Sequence, residues 1–384
     1  MKEEKKNRIK IKNPSKIYAT VISTGPNSGA KKDNNGLIEK GYVKLSNLNI
    51  DPNFSYAMCK RLDGMDTGGT TSWWQCRASK GYGLCPGGFL QDFEIDNIFG
   101  YKKLIKTSIP DKILNVSREF NNKTGFNSAY ERLMGLKDIL HIVDKNMPVI
   151  LCFDIFDNID ESRTDGIIRM PEKHSKKIFS HSVCLLENIS KNELIRFVNS
   201  WGYNWGDNGF GYLSYDYIKK YLLEAWVTIS SDRLIKEIDK FVAREYFFKL
   251  SLFKSFLPHR SDIYCLDVYG SKENKRIVAW SHFRLHRKQK KLYVEEFFVL
   301  PEFRSNKIGT EMFKFIEDFG NKKSINSIEF YIHVQDLVDE KRIKIINNFI
   351  DKFNFEVEEN TKKFKGCMYK IYKNYAKDKT NKAK

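Results

Sequence analysis

Residues 197–215 read FVNSWGYNWGDNGFGYLSY, and how this stretch folds decides the architecture of the first half of the chain. It holds two Trp, four Gly and three Asn. Glycine permits turns that a Cβ would forbid, and large rings set between such turns bury apolar area. That combination predicts a tightly closed hairpin rather than a flexible linker. Upstream, HSVCLLENI (181–189) and ELIRFVNSW (193–201) read as two short strands, each bounded by polar turns. Paired antiparallel, they bring the side chains of His181 and Asn199 together. A His held by an Asn amide is the base and its orienting partner in a hydrolase whose nucleophile is Cys.

The totals bound what surrounds this pair. At 384 residues, 41% apolar and 14% aromatic, the chain is long enough for two cores and too apolar for global disorder. A net charge of +18 suits nucleic acid, an acidic substrate or a phosphate-bearing cofactor, or is a solvated basic surface. No nucleic-acid recognition motif accompanies it. The seven Cys are dispersed, with no CxxC pair and no metal-like spacing with His, which predicts free thiols in a reducing compartment. No apolar run approaches the ~18 residues of a membrane span, so a cytoplasmic protein is expected.

Along the chain, NFSYAMCKRLDG and TTSWWQCRASKGYG read as helices separated by the turn MDTGG, and FNSAYERLMGLKDILHIVDK as one amphipathic helix before the strand MPVILCFDIF. After the hairpin come a helix, YDYIKKYLL, and a strand, AWVTIS. The texture changes near residue 231. SDRLIKEIDKFVAREYFFKLSLFKSF reads as a helix capped by Ser231, followed by three long meander strands and then helix, strand, helix and strand. The expected units are a basic tail at 1–13, domains at 14–230 and 231–376, and a second basic tail at 377–384.

The stretch FSHSV…FVNSWGYNWGDNGFGYLSYDYI resembles the His and Asn region of papain-family cysteine peptidases, whose pattern is NSWG–xx–WG–xx–G. YAMCKRLDGMDTGGTTSWWQCRASKGYGLCP is similar to the left-lobe helices of the bacterial members. The resemblance covers roughly residues 14–230. It implies two lobes, one helical and one β-rich, with His181 and Asn199 at the cleft and Trp201 as their aromatic cover. The nucleophile departs from it. The family's Cys opens a helix after a Gln-Gly turn, and with Gly25 as that Gly the Gln position falls on Thr24 and the nucleophile on Ala30. No Cys precedes Cys59. A thiolate mechanism has no candidate there, and Cys59, Cys76 and Cys85 read as packed apolar residues.

The other specific signal is YVEEFFVLPEFRSNKIGTEMFKFIE (293–317), a strand, a basic loop and a helix. Loop amides and the positive end of a helix make a pyrophosphate cradle. The segment resembles the acetyl-CoA-binding element of GNAT-type N-acetyltransferases, whose loop reads [RQ]-x-x-G-x-[GA], over roughly 240–375. The resemblance places an acyl-CoA, acetyl-CoA or another, on Val299, Arg304, Ser305, Asn306, Lys307, Ile308, Gly309 and Thr310. Lys307 stands where Gly is usual. Glu295 stands where many relatives carry the base that takes the ammonium proton, and alternation turns Glu296 to the opposite face. The family's acidic Tyr is replaced by Ile350 and its following Gly by Asn354, with Tyr331 and His333 as possible substitutes for the acid.

The fold class expected is α+β, a two-lobed papain-like domain followed by an α/β GNAT domain with a mixed central sheet. The function expected is acyl transfer to an amine, joined to a peptide-binding domain deficient in catalysis. The alternatives are an active cysteine peptidase with an accessory acetyltransferase and a non-catalytic scaffold.

Overall fold

The structure is a computed structural model and describes residues 50–64, 69–86, 109–271, 276–333, 340–359 and 367–375. Both tails and the segment 21–36, where the papain-type nucleophile is sought, lie outside the described residues. The chain divides into two compact units, Met1–Asp232 and Arg233–Lys384.

The first unit opens with α1 (Pro52–Asp63) and α2 (Ser72–Tyr82), both expected. Asp51 caps α1 by accepting from the amides of Asn53 and Phe54 at 2.8 and 3.1 Å, and Gly64 ends it at φ 65°. The sequence reading anticipates no element at α3 (Asp111–Thr124). The single helix expected over 126–145 is instead β1 (Ala129–Leu133) followed by α4 (Leu136–Val143). A strand wins because its partner is β7 (Leu222–Ile229), far along the chain, and pairing buries nearly all of β1. The sheet is completed by β2 (Val149–Phe156), β3 (Ile167–Ile168), β4 (Lys177–Ile189), β5 (Leu194–Val198) and β6 (Phe210–Ser214), with α5 (Tyr215–Tyr221) after β6. Its order is β1-β7-β2-β4-β5-β6-β3. The helices meet the sheet where Trp73 of α2 stacks on Trp226 of β7, centroids 6.3 Å apart.

In the second unit, the helix expected over 231–256 is a hairpin of β8 (Leu234–Ala243) and β9 (Tyr246–Phe253). Tyr246, Phe248 and Leu250 enter the core at a spacing of two, the strand period. The three meander strands are β10 (Ile263–Tyr269), β11 (Ile277–His286) and β12 (Lys291–Val299). Then come α6 (Ile308–Lys322), β13 (Ser327–His333), α7 (Glu340–Phe353), β14 (Glu356–Glu359) and β15 (Cys367–Asn374). The eight-stranded sheet runs β14-β15-β13-β12-β11-β10-β9-β8, mixed because β12 and β13 are parallel. Both helices lie on one face, with Met312, Phe313 and Ile316 of α6 and Phe349 of α7 packed on Leu292, Val294, Ile328 and Phe330. β8 is an edge strand, blunted against further pairing by two irregularities in its register with β9 and by exposed Lys236 and Lys240.

Candidate functional sites

In the first unit the hairpin reading of 197–215 holds. The amide of Asn199 donates to the Gly209 carbonyl at 2.9 Å, closing the loop at the end of β5. Gly206 sits at φ 59°, where a Cβ would lie 2.5 Å from the Phe210 carbonyl oxygen. A side chain at Gly211 would collide with the rings of Phe197 and Trp205. Gly211 thus lets the backbone pass beside two large rings, and Gly206 lets it pass the Phe210 carbonyl. His181 lies inside β4, and Asn199 directly follows β5, its antiparallel neighbour.

The His181 Nε2 and Asn199 Oδ1 atoms are 2.8 Å apart. Asn199 Oδ1 also accepts from the Ser200 amide at 2.8 Å, which identifies that atom as the oxygen. Nε2 therefore carries the proton, and the neutral ring keeps its lone pair on Nδ1. Trp201 stacks on the imidazole with centroids 4.6 Å apart, the cover expected from the sequence. Burial pushes the ring's pKa down to about 4, against the opposing pull of Asn199, so His181 is neutral near pH 7.

No described thiol complements this base. Cys152 pairs across the sheet with Ser182, and Phe153 pairs with His181, so alternation turns Cys152 and Cys184 to the face opposite the imidazole. Burial pushes Cys85, Cys152 and Cys184 up to about 12, helped at Cys85 by Asp51 and at Cys152 by Glu224. Burial and the Asp63 charge also raise Cys59 well above the ordinary thiol value, and it donates to Gln75 Oε1. Thiols held protonated in this way are inert. One group the sequence reading missed is the buried carboxylate of Glu224. It accepts from the Ser72 amide at the start of α2 and from Trp226 Nε1, at 2.8 and 3.0 Å, and joins helix to sheet.

In the second unit the candidate residues gather where two strands part. β12 pairs with β13 only from Lys291↔Ser327 to Val294↔Phe330, although both strands continue beyond. The register of β12 on β11 slips at the same place, from Phe283↔Val294 to His282↔Glu296, leaving Glu295 as the extra residue of a bulge. Past the bulge, the β13-facing backbone edge of β12 has no strand partner among the described residues up to Val299.

The bulge corrects the expectation for Glu296. Glu295 accepts from Arg284 Nε at 2.8 Å, and Glu296 is the cross-strand partner of His282, two residues from Arg284. Both carboxylates therefore lie on the helix-free face, and Phe297 and Val299 are turned toward the helices, against Gly309. Partial burial, with a third of the side chain still exposed, works against the Glu295 charge. Arg284, then Arg260 and His286, outweigh it and hold the carboxyl below its ordinary value. Arg284, itself buried, was missed by the sequence reading.

The loop after β12 delivers the chain to α6. Arg304 Nε donates to the Val299 carbonyl at 3.2 Å, Asn306 Nδ2 to Tyr246 Oη at 3.1 Å, and Thr310 Oγ1 accepts from Lys352 Nζ at 2.8 Å. Ile308 is buried. Of the candidate cofactor residues, Ser305, Asn306 and Lys307 are exposed and stand beside the helix start. Lys307 is the N-cap at φ 60° and provides no side-chain cap, so the first-turn amides of α6 face outward unsatisfied by one. Ser305 is also left-handed, at φ 72°. Ile350 is half-buried and holds no proton to give. Asn354 takes the left-handed conformation, φ 55°, in a Schellman closure, with the Phe355 amide donating to the Ile350 carbonyl at 3.0 Å. Tyr331 stacks parallel to Tyr293 with centroids 6.4 Å apart, one residue beyond the last β12–β13 pair. The His333 side chain lies outside the described residues.

Residues 232–344 match the acetyltransferase (GNAT) family, and the second unit is a GNAT-type acetyltransferase domain. Over 74 residues the chain is 31% identical to a peptidase C1-like protein of Acanthamoeba polyphaga mimivirus, a stretch covering 18% of this chain and 24% of that protein. The chain thus spans about a quarter of the length of the curated relative it matches. Among solved structures it is similar to xylellain, a cysteine protease from Xylella fastidiosa, at 15% identity and a TM-score of 0.45, covering 58% of this chain and 90% of that one. It is also similar to the PaiA N-acetyltransferase of Thermoplasma acidophilum, solved with coenzyme A, at 19% identity and a TM-score of 0.23, covering 29% and 61%. Among the described residues no helix is long and apolar enough to cross a membrane.

Proposed function

We propose that the chain transfers an acyl group, acetyl in the first instance, from an acyl-CoA to an amine, and that its first unit holds a peptide without cleaving it. The observation that carries the first part is the coincidence of the Glu295 bulge with the parting of β12 and β13, opening toward the uncapped start of α6. Such an opening fits acyl-CoA. The first-turn amides and Lys307 would meet the pyrophosphate, and the unpaired edge of β12 would meet the pantetheine.

The amine approaches on the face of Glu295. Its nitrogen bonds to the thioester carbon, and the C–S bond breaks with the electron pair leaving on sulfur. The ammonium proton passes to Glu295, directly or through water. With Ile350 in place of an acid, the thiolate takes its proton from solvent. In the first unit, a neutral His181 with no thiolate partner among the described residues supports binding rather than hydrolysis, in a cytoplasmic protein.

The test is calorimetric titration of the full-length protein and of Glu295→Gln with acetyl-CoA. Micromolar binding by both, with turnover lost in the variant alone, is the expected result. No binding by either would remove the transferase reading.

A further inference from the structure

Resting on that acyl-transfer reading, we infer that the rings of Phe297, Phe330 and Phe349 measure the acyl chain, admitting acetyl and propionyl and excluding longer donors. The phosphate end of the site is fixed at the start of α6, which follows Val299 in the chain. A pantetheine running back along β12 reaches the bulge at Glu295, where the thioester must sit for an amine beside that carboxylate. The acyl carbons continue past the thioester, and there the strands close. Val294 and Phe330 are paired, and nothing can pass between two strands joined by backbone hydrogen bonds.

The chain must therefore turn to one face of the sheet. The helix-free face is taken by the amine, Glu295 and the Arg284 guanidinium that holds it. On the helix face, Phe297 comes from one parting strand and Phe330 from the other, with centroids 5.7 Å apart. Phe349 of α7 closes on both, at 5.4 and 5.7 Å. Phe313 and Phe355 stand behind, each within 6.0 Å of Phe330. Rings at these separations are in contact and leave no channel between them. A methyl or ethyl group can rest on this surface. A longer chain must displace a packed ring, and forcing extra methylenes into a packed core costs about 1–3 kcal/mol, or roughly 5- to 150-fold in affinity.

The test is calorimetric binding of free CoA and of acetyl-, propionyl-, butyryl- and octanoyl-CoA to the full-length protein. We expect acetyl and propionyl to bind alike and butyryl and octanoyl at least about tenfold more weakly. Phe349→Ala should narrow the gap between acetyl and octanoyl affinities by about tenfold, whatever it does to acetyl binding itself, and Phe349→Leu supplies a milder cut should the first variant fail to fold. Octanoyl-CoA bound by the wild type within about threefold of acetyl-CoA overturns the gauge and keeps the transferase reading. Absence of binding by every ligand, free CoA included, overturns both.

Discussion

Lys307 occupies a backbone conformation that suits glycine, and replacing it should stabilise the second unit. Its φ of 60° and ψ of 10° lie in the left-handed region, where a Cβ crowds the following carbonyl at about 1–2 kcal/mol. Lys307→Gly removes that cost and adds the greater backbone freedom of glycine in the unfolded chain, about 0.5–1 kcal/mol in the other direction. The net gain is about 1 kcal/mol, which raises the melting temperature of a unit this size by about 3 °C. Scanning calorimetry of the full-length protein would read it. Lys307→Ala is the control, because alanine keeps the Cβ and the strain but loses the charge, and its transition should stay within about 1 °C of the wild type. Both variants lose the ammonium group beside the start of α6, so acyl-CoA should bind each a few-fold more weakly. The deficit should vanish at 1 M salt, where the screening length is about 3 Å. A Lys307→Gly protein melting at or below the wild type would refute the assignment of strain to this residue.

Four further outcomes are expected. Glu295 has its pKa lowered from 4.5 by Arg284, so the stability it contributes is present above about pH 4.5 and lost on further acidification; denaturant midpoints of the wild type and Glu295→Gln should converge as pH falls through that range. His181 is lowered from 6.5 to about 4, so the unfolded chain binds its proton first; stability should fall by ~3 kcal/mol between pH 6.5 and 4, less in His181→Gln, and ring NMR shifts should stay neutral down to about pH 4. An epoxide thiol inhibitor should leave the buried Cys59, Cys76, Cys85, Cys152, Cys184 and Cys265 of the native protein unlabelled at pH 8, while all seven Cys react with iodoacetamide after denaturation; epoxide labelling of one of those six in the native chain would point to an active peptidase. Gly211→Ala puts a Cβ 2.4 Å from Phe197 Cζ and 2.8 Å from Trp205 Cη2 and should cost about 2 kcal/mol by chemical denaturation, with the Trp201 fluorescence environment altered.

The elements legible in the sequence are those whose signals are local. The Asp51 cap and Gly64 closure bracket α1, and within 197–215 Gly211 marks where backbone runs against two rings and Gly206 where it runs against the Phe210 carbonyl. The failures are non-local. β1 is a strand because β7 is beside it, and nothing within 126–145 reports that. The helical pattern over β8 misleads for a related reason. Its register slips between Leu234 and Lys236 and again between Glu237 and Asp239. Each slip inserts a residue, so its core-facing apolar side chains, Ile238, Phe241 and Ala243, are no longer spaced strictly by two and approach the helical pattern.

The same physics decides the candidate site. Strand alternation, applied to YVEEFFV, gives Glu295 and Glu296 opposite faces and leaves Phe297 beside Glu295. One extra residue at Glu295 breaks that parity. It places both carboxylates on the face reached by Arg284 and sends Phe297 to the helices, where it meets Phe330 and Phe349. It also falls at the last residue pair holding β12 to β13. A bulge costs a ladder hydrogen bond, and its sequence carries no glycine or proline to announce it. The residues of the site can therefore be named from the sequence, while their sorting into a proton acceptor on one face and an aromatic floor on the other depends on a register that only the paired sheet defines.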